Sequence, residues 1–301
     1  MSARKLIVLG TASQVPTRQR NHNGYFLKWD EEGILFDPGE GTQRQMTLAN
    51  VSATEITKIC ITHFHGDHCL GLAGVIQRLS LDNVQHEVEI YYPASGQKYF
   101  ENLRDASIFY NTAKLRPRPI TAPGILWQNE KLQLETQPLR HSVESWGFRW
   151  SEKDTVTMQA EKLAALGIRG VEVGRLKQQG QLEKDGRVIL LADVSVPKAG
   201  QSMAFVMDTG MCDAAIALAR EASVLVCEST YQASEQKEAE SRGHLTAQQA
   251  ATIAKDANAK MLVLTHFSQR YTSMDGFIRE AYPIHPNVIA VQDGDVVMIR
   301  K

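Results

Sequence analysis

The chain has 301 residues, 43% of them apolar, enough for a substantial core in one large domain or two ordinary ones. A net charge of −1 with 22% charged residues excludes a global basic field, so a bound polyanion would have to be held by a local patch or by metal ions. Four cysteines without a Cys-x-x-Cys spacing (Cys60, Cys69, Cys212, Cys227) argue against a disulfide framework and for reduced thiols in a cytosolic protein.

The first ten residues hold too short an apolar run for a secretion signal and lead straight into a strand over residues 5–9. No run approaches transmembrane length, so the chain is expected to be soluble and cytoplasmic. Residues 16–21 form a polar, basic loop, Pro-Thr-Arg-Gln-Arg-Asn. It is either a solvated loop or a phosphate contact made by Arg18, Arg20 and Asn21, since arginine's planar fork suits phosphate oxygens. Residues 25–29 and 34–36 read as a strand pair. The turn Asp37-Pro38-Gly39-Glu40-Gly41 then leads into a helix over residues 42–49, whose start could present Thr42 and Gln43 to a site. Asp37, at a strand end, is either structural or the partner that orients a ligand histidine.

Residues 56–61 read as a buried strand that delivers Thr62-His63-Phe64-His65-Gly66-Asp67-His68. Alternate residues at a strand end point the same way, so His63 and His65 can grip one metal ion. Asp67 and His68 face a second from the loop before a helix over residues 70–81. Imidazole and carboxylate ligands suit zinc, and also manganese or iron. A strand over 87–92, a helix over 96–110 and an exposed Pro-rich loop over 114–123 follow. The strand over 132–139 delivers His141, a natural third imidazole for the first metal. After a strand over 145–150, residues 152–191 break the rhythm. A helix-like piece over 157–166 and a Gly-rich stretch of mixed charge read as an insertion outside the core, or else as an ordinary helix and hairpin within it.

Strands over 202–207, 224–227 and 261–265 then alternate with helices over 212–221 and 247–257, and deliver Asp208, Glu228 and His266 at their ends. A short helix over 274–282 and strands over 288–291 and 296–299 close the chain. The ligand candidates suffice for two metals. His63, His65 and His141 would hold one, Asp67, His68 and His266 the other, with Asp208 bridging. Two metals about 3.5–4 Å apart hold a bridging hydroxide and clamp both oxygens of an in-line displacement. His244, not needed as a ligand, either donates a proton to the leaving oxygen, with Glu228 fixing its tautomer, or merely caps its own helix. His22, His86 and His285 read as surface or loop residues, with His22 placed where it could line the site.

The His-x-His-x-Asp-His pattern resembles the signature of the metallo-β-lactamase superfamily. Pro16–Asn21, Phe36–Gln43 and Gly243-His244-Leu245-Thr246 resemble the hallmark segments of the ribonuclease Z family, the tRNA 3′-processing endonucleases. Glu228-Ser229-Thr230 is similar to that family's His-Glu-Ala-Thr segment, with Cys227 in place of its histidine. The resemblance implies an α/β fold, a four-layer αββα sandwich forming one domain with an inserted substrate-binding arm at about 152–191. It implies two zinc ions per subunit, usually in a homodimer, and removal of the 3′ trailer of precursor tRNA to leave a 3′-hydroxyl. It also implies that Asp67 accepts the proton of the attacking water, that His244 assists the leaving group and that the arm grips the tRNA elbow. Departures from the family pattern are Pro38, Met207 and an arm whose knuckle, Leu166-Gly-Ile-Arg-Gly-Val171, lacks proline. The alternative is a superfamily hydrolase of small phosphodiesters or esters, motivated by that arm and by the absence of a basic excess.

Overall fold

The computed structural model describes residues 4–299, so the first three residues of the N-terminal stretch lie outside it. Strand alternation sets the architecture. In the strand Lys5–Gly10, Leu6 and Val8 point into one core while Ile7 and Leu9 point into another. In Ser202–Val206, Met203 and Phe205 face one side, Ala204 and Val206 the other, and both sides are buried. Sheets apolar on both faces need cover on both. Two sheets therefore share a central core, and each carries helices on its outer face, which gives the expected αββα layering.

One sheet has the order Val296–Met298, Lys5–Gly10, Gly24–Trp29, Glu32–Phe36, Lys58–Cys60, Glu87–Pro93, Lys114–Ile120. The other runs Val288–Ala290, Leu262–Thr265, Val224–Glu228, Ser202–Val206, Ser145–Glu152, Leu132–Leu139, Gly124–Gln128. The strands ending at Phe36 and Cys60 are parallel, as are those ending at Val206, Glu228 and Thr265. Their carboxyl ends open on one edge of the sandwich, where α/β sheets bind ligands. In the central core the Phe205 ring stacks on Phe36 at 4.6 Å and meets Tyr25 edge-on at 5.2 Å.

Several elements differ from expectation. Residues 114–120 form a strand, parallel to Glu87–Pro93, rather than a loop. It lies at a sheet edge, where Pro117 and Pro119 cost no ladder bond, and Arg116 and Arg118 pair with Glu87 and Glu89. The strand Gly124–Gln128, at the edge of the other sheet, was not foreseen. The helix expected over 96–110 spans only Gln97–Arg104. The helix expected over 70–81 is present as Leu72–Leu81, and a separate short helix, Gly66–Cys69, precedes it, so Asp67 and His68 sit on a helical turn and not in a loop. The two helices are divided near Gly71, where a Cβ would meet the Gly39 carbonyl oxygen at 2.0 Å.

The segment expected as an arm over about 152–191 spans more of the chain. It leaves the second sheet after Glu152 and returns at Gln201, where the Glu152 amide donates to the Gln201 carbonyl. Its stalk pairs Thr155–Met158 with Ser195–Lys198, so the β-branched run 155–157 is extended, and the helix begins only at Ala160. Helices Ala160–Ala165 and Val171–Gln179, a hairpin (Gln181–Lys184, Arg187–Leu190) and the turn Leu191–Val194 enclose a core of their own. That core is Leu163, Ile168, Leu176, Leu182, Ile189 and Val194. Gly167 and Gly170, both at positive φ, turn the chain between the two helices.

Among the described residues no helix is long and apolar enough to cross a membrane, and all four cysteines are free. Truncating Phe205→Ala is expected to destabilise the sandwich by about 3–5 kcal/mol, read as a shift in the urea unfolding midpoint.

Candidate active site

The carboxyl-end edge opens into a cleft of about 740 Å³. The hollow of about 1040 Å³ near the arm's root is larger, but its lining contains no histidine or cysteine. In the cleft the structure brings together all seven residues nominated as metal ligands. His63 Nε2, His65 Nδ1, His141 Nε2 and Asp208 Oδ2 converge: His65 Nδ1 lies 2.9 Å from His63 Nε2 and 3.3 Å from His141 Nε2. Asp208 Oδ2 is 3.6 and 3.8 Å from the same two Nε2 atoms. Asp67 Oδ2, His68 Nε2 and His266 Nε2 form a second group around the other oxygen of Asp208. Its Oδ1 is 3.3 Å from His68 Nε2 and 3.2 Å from His266 Nε2. One carboxylate thus divides its two oxygens between two clusters.

What lies behind the imidazoles decides which nitrogen faces the cleft. Asp37 is fully buried, takes the Thr62 amide at 2.7 Å and the Thr62 hydroxyl at 2.8 Å, and accepts His68 Nδ1–H at 2.8 Å. The Thr62 hydroxyl spends its only proton on Asp37, so at 3.0 Å it accepts His63 Nδ1–H. The Thr230 hydroxyl likewise donates to Glu228 at 2.6 Å and accepts His266 Nδ1–H at 2.9 Å. His141 Nδ1–H donates to the Gly243 carbonyl at 2.9 Å. Four imidazoles therefore turn Nε2 towards the cleft. Of the two expectations for Asp37, the orienting one describes its contacts.

These atoms fit divalent cations. His68 Nε2, His266 Nε2 and Asp208 Oδ1 are buried without a hydrogen-bond partner, a costly state for polar atoms that a cation would relieve. Burial and the neighbouring His68 hold the His63 imidazole well below its usual pKa, so its lone pair is available. Burial opposes a charge on His68, but Asp208, Asp67 and Asp37 outweigh it and raise its pKa. Burial would raise Asp67, yet His68 and His266 hold it far below the usual carboxylate range. Asp37, Asp208 and His266 all sit at positive φ, 43°, 40° and 60°. Left-handed backbone at buried non-glycine residues costs energy, and here all three occurrences turn a strand end into the cleft.

His244 stands beside the clusters. Its Nδ1 is 4.0 Å from Asp208 Oδ2 but only 2.9 Å from Glu228 Oε1. Glu228 is fully buried and also accepts the Thr209 amide at 2.7 Å and the Leu245 amide at 3.2 Å. Burial disfavours a proton on His244, but Glu228 and Asp208 outweigh it and raise its pKa to about 9. The helix Ala247–Asp256 is capped by Thr246, not by His244. His22 lines the cleft.

The five candidate substrate contacts do not line it. Arg20 is buried and braces the chain, donating to the carbonyls of Ser268 at 3.0 Å and Tyr271 at 2.9 Å. Thr42 is buried, its hydroxyl donating to the Gly39 carbonyl. Gln43 packs against Gly74. Arg18 and Asn21 face a separate hollow of about 380 Å³. The part of the loop that reaches the cleft is the unpredicted Gln14, at φ 51°, whose amide donates to Asp67 Oδ2 at 2.7 Å. Tyr231, Arg242 and Arg270 also line the cleft unforeseen. Arg270 follows His266 by four residues, a proximity the sequence displays.

The chain matches the model of the metallo-beta-lactamase superfamily over residues 17–144 and that of the beta-lactamase superfamily domain over residues 153–267. It is 55% identical to ribonuclease Z of Nocardia farcinica over 282 residues, covering 93% of this chain and 92% of that one. Against ribonuclease Z of Chlamydia pneumoniae the identity is 45%, over 97% of this chain and 95% of that one. The crystal structure of human tRNase Z, short form, superposes with a TM-score of 0.71 at 26% identity, covering 99% of this chain and all of that one.

Replacing Asp37 by alanine frees the His68 ring and is expected to weaken zinc binding by about 10–100-fold, measured by competition with a chromogenic chelator.

Proposed function

Because the chain belongs to the ribonuclease Z family of the metallo-β-lactamase superfamily, we propose that it removes the 3′ trailer of precursor tRNA by a single endonucleolytic cut, leaving a 3′-hydroxyl. The observation that carries this reading is the divided carboxylate of Asp208 between two imidazole clusters, with His244 backed by Glu228 at their side. His63, His65 and His141 with Asp208 Oδ2 would hold one ion, and Asp67, His68 and His266 with Asp208 Oδ1 the other. Zinc suits such ligands best, and manganese or iron(II) would be accepted. When bound, the ions supply Lewis-acid polarisation of the phosphodiester and activation of water at neutral pH.

The protein's own groups then have distinct tasks. Asp67 accepts a proton from the attacking water as the new P–O bond forms. The P–O3′ bond breaks, and protonated His244 gives its Nε2 proton to O3′, which becomes the 3′-hydroxyl of the tRNA. Glu228 holds Nδ1–H and so keeps Nε2 turned to the substrate. The inserted segment 153–201 serves as the substrate-gripping arm. Its exposed Arg169, Arg175, Lys177 and Arg187 suit the phosphates of the tRNA elbow. Pairing of two subunits would let each arm hold the partner's substrate. Free cysteines favour a cytoplasmic setting.

Zinc-loaded protein incubated with a trailer-bearing precursor tRNA is expected to give one cut at or near the discriminator base, abolished by chelator, with product ends mapped by sequencing. Brisk hydrolysis of a chromogenic phosphodiester without that cut would move the substrate to a small molecule. His244→Ala is expected to lower kcat by roughly 10²–10⁴-fold at unchanged metal content, checked by single-turnover cleavage and elemental analysis. Excising residues 154–199 is expected to abolish tRNA cleavage while small-diester hydrolysis persists, measured side by side on one preparation.

A further inference from the structure

An RNA substrate brings several phosphates to the cleft of a chain whose net charge is only −1. The cleft lining offers two permanently charged cations, Arg242 and Arg270. Their settings differ. Arg242 sits more than half exposed, and its Nε engages Glu238 at 3.1 Å within its own helix. The segment carrying Arg270 is anchored on both sides. The Phe267 amide donates to the Thr11 carbonyl at 2.8 Å, and the Ser268 amide to the Thr230 carbonyl at 3.2 Å. The next residue, Tyr271, accepts the Gln232 amide at 3.0 Å and donates its hydroxyl to Glu235.

The guanidinium of Arg270 lies over the ring of Tyr231, 5.0 Å from its centroid. Tyr231 is buried, and its ring is 6.1 Å from that of His244. Arg270 is thus fixed one aromatic ring away from the proposed proton donor. Two carboxylates steady it from the side, Glu238 at 3.3 Å and Glu235 at 3.7 Å. Both distances exceed the roughly 2.7–2.9 Å of a fully formed charge-assisted hydrogen bond. The fork is oriented but not consumed, and its donors remain available to a stronger acceptor.

We propose that Arg270 grips the phosphodiester next to the scissile one, its planar fork taking the two non-bridging oxygens while Tyr231 fixes the fork's plane. This rests on the RNA-cleaving reading above and names a residue that sets where the backbone lies in that cleft. Lysine in this place would keep the charge and lose the two-pronged grip. Arg242, engaged on its own helix, contributes only to the general field.

The test is steady-state cleavage of a trailer-bearing precursor tRNA by the zinc-loaded wild type, Arg270→Ala and Arg270→Lys, over about 50–200 mM salt. Metal content and melting midpoint are checked for each. Arg270→Ala is expected to raise KM about tenfold at the low-salt end, with kcat changed far less, as for lost ground-state binding. The slope of log kcat/KM against log salt should shrink by about 0.7, one single-strand phosphate contact. Arg270→Lys should restore the slope but only part of the affinity. An unchanged KM and slope in Arg270→Ala, with the wild type cutting normally, overturns the proposal alone. So does a loss accompanied by lowered metal content or melting midpoint, which marks a structural role. A wild type that does not cut precursor tRNA overturns the function reading, and this proposal with it.

Discussion

A single buried carboxylate, Glu228, ties the reactive edge of this protein together. It has no exposed surface, and a charged group so placed must be met by donors on every side. Those donors are the amides of Thr209 and Leu245, the hydroxyl of Thr230 and Nδ1 of His244. They come from three different pieces of the cleft. Thr209 follows Asp208, Thr230 carries the ring of His266, and Leu245 and His244 lie on the segment whose Gly243 carbonyl orients His141. Satisfying one charge therefore sets the position of three candidate metal ligands and the proposed proton donor. Asp37 does the same for the other half, through Thr62, His63 and His68.

Both anchors pass through threonine hydroxyls, each of which has one proton to give. Once that proton is committed to a carboxylate, the hydroxyl can only accept from the ring behind which it stands. The tautomers of His63 and His266 follow from this counting without reference to any ion. The strained backbone at Asp37, Asp208 and His266 fits the same picture, because each departure from extended φ aims a polar side chain over the edge of a sheet. The surrounding strands are bonded well enough to hold these turns in place.

Much of this was visible in the sequence, for a physical reason. Imidazoles and carboxylates at the ends of apolar, β-branched runs form a local pattern, so His63 to His68, His141, Asp208 and His266 could be named before any coordinates. The four layers were implied by the family resemblance, and the structure accounts for them by strands buried on both faces. Less visible were roles that depend on distant partners. Arg20 looks like a phosphate contact in its own loop, yet its partners are the carbonyls of Ser268 and Tyr271, far along the chain. Thr42 and Gln43 begin a helix as expected, but the helix start is packed inward. Pro117 and Pro119 suggested a loop, whereas the sheet order puts them on an edge strand, where their missing N–H groups break no ladder. The insertion's far boundary was misjudged because its return strand, Ser195–Lys198, is short and polar.

The two ion-facing clusters draw on both sheets, and the last contributor, His266, arrives when nearly nine-tenths of the chain has been made. The first half brings five imidazole or carboxylate groups, His63, His65, Asp67, His68 and His141, that lack Asp208 and His266 to complete the two clusters. A chain ended before Asp208 therefore lacks a member of both candidate clusters. During translation the ribosome is surrounded by tRNA, and a nuclease that could load metal early would be armed before its substrate-selecting parts were in place. Spreading the ligands from residue 63 to residue 266 makes completion of the fold the licence for chemistry.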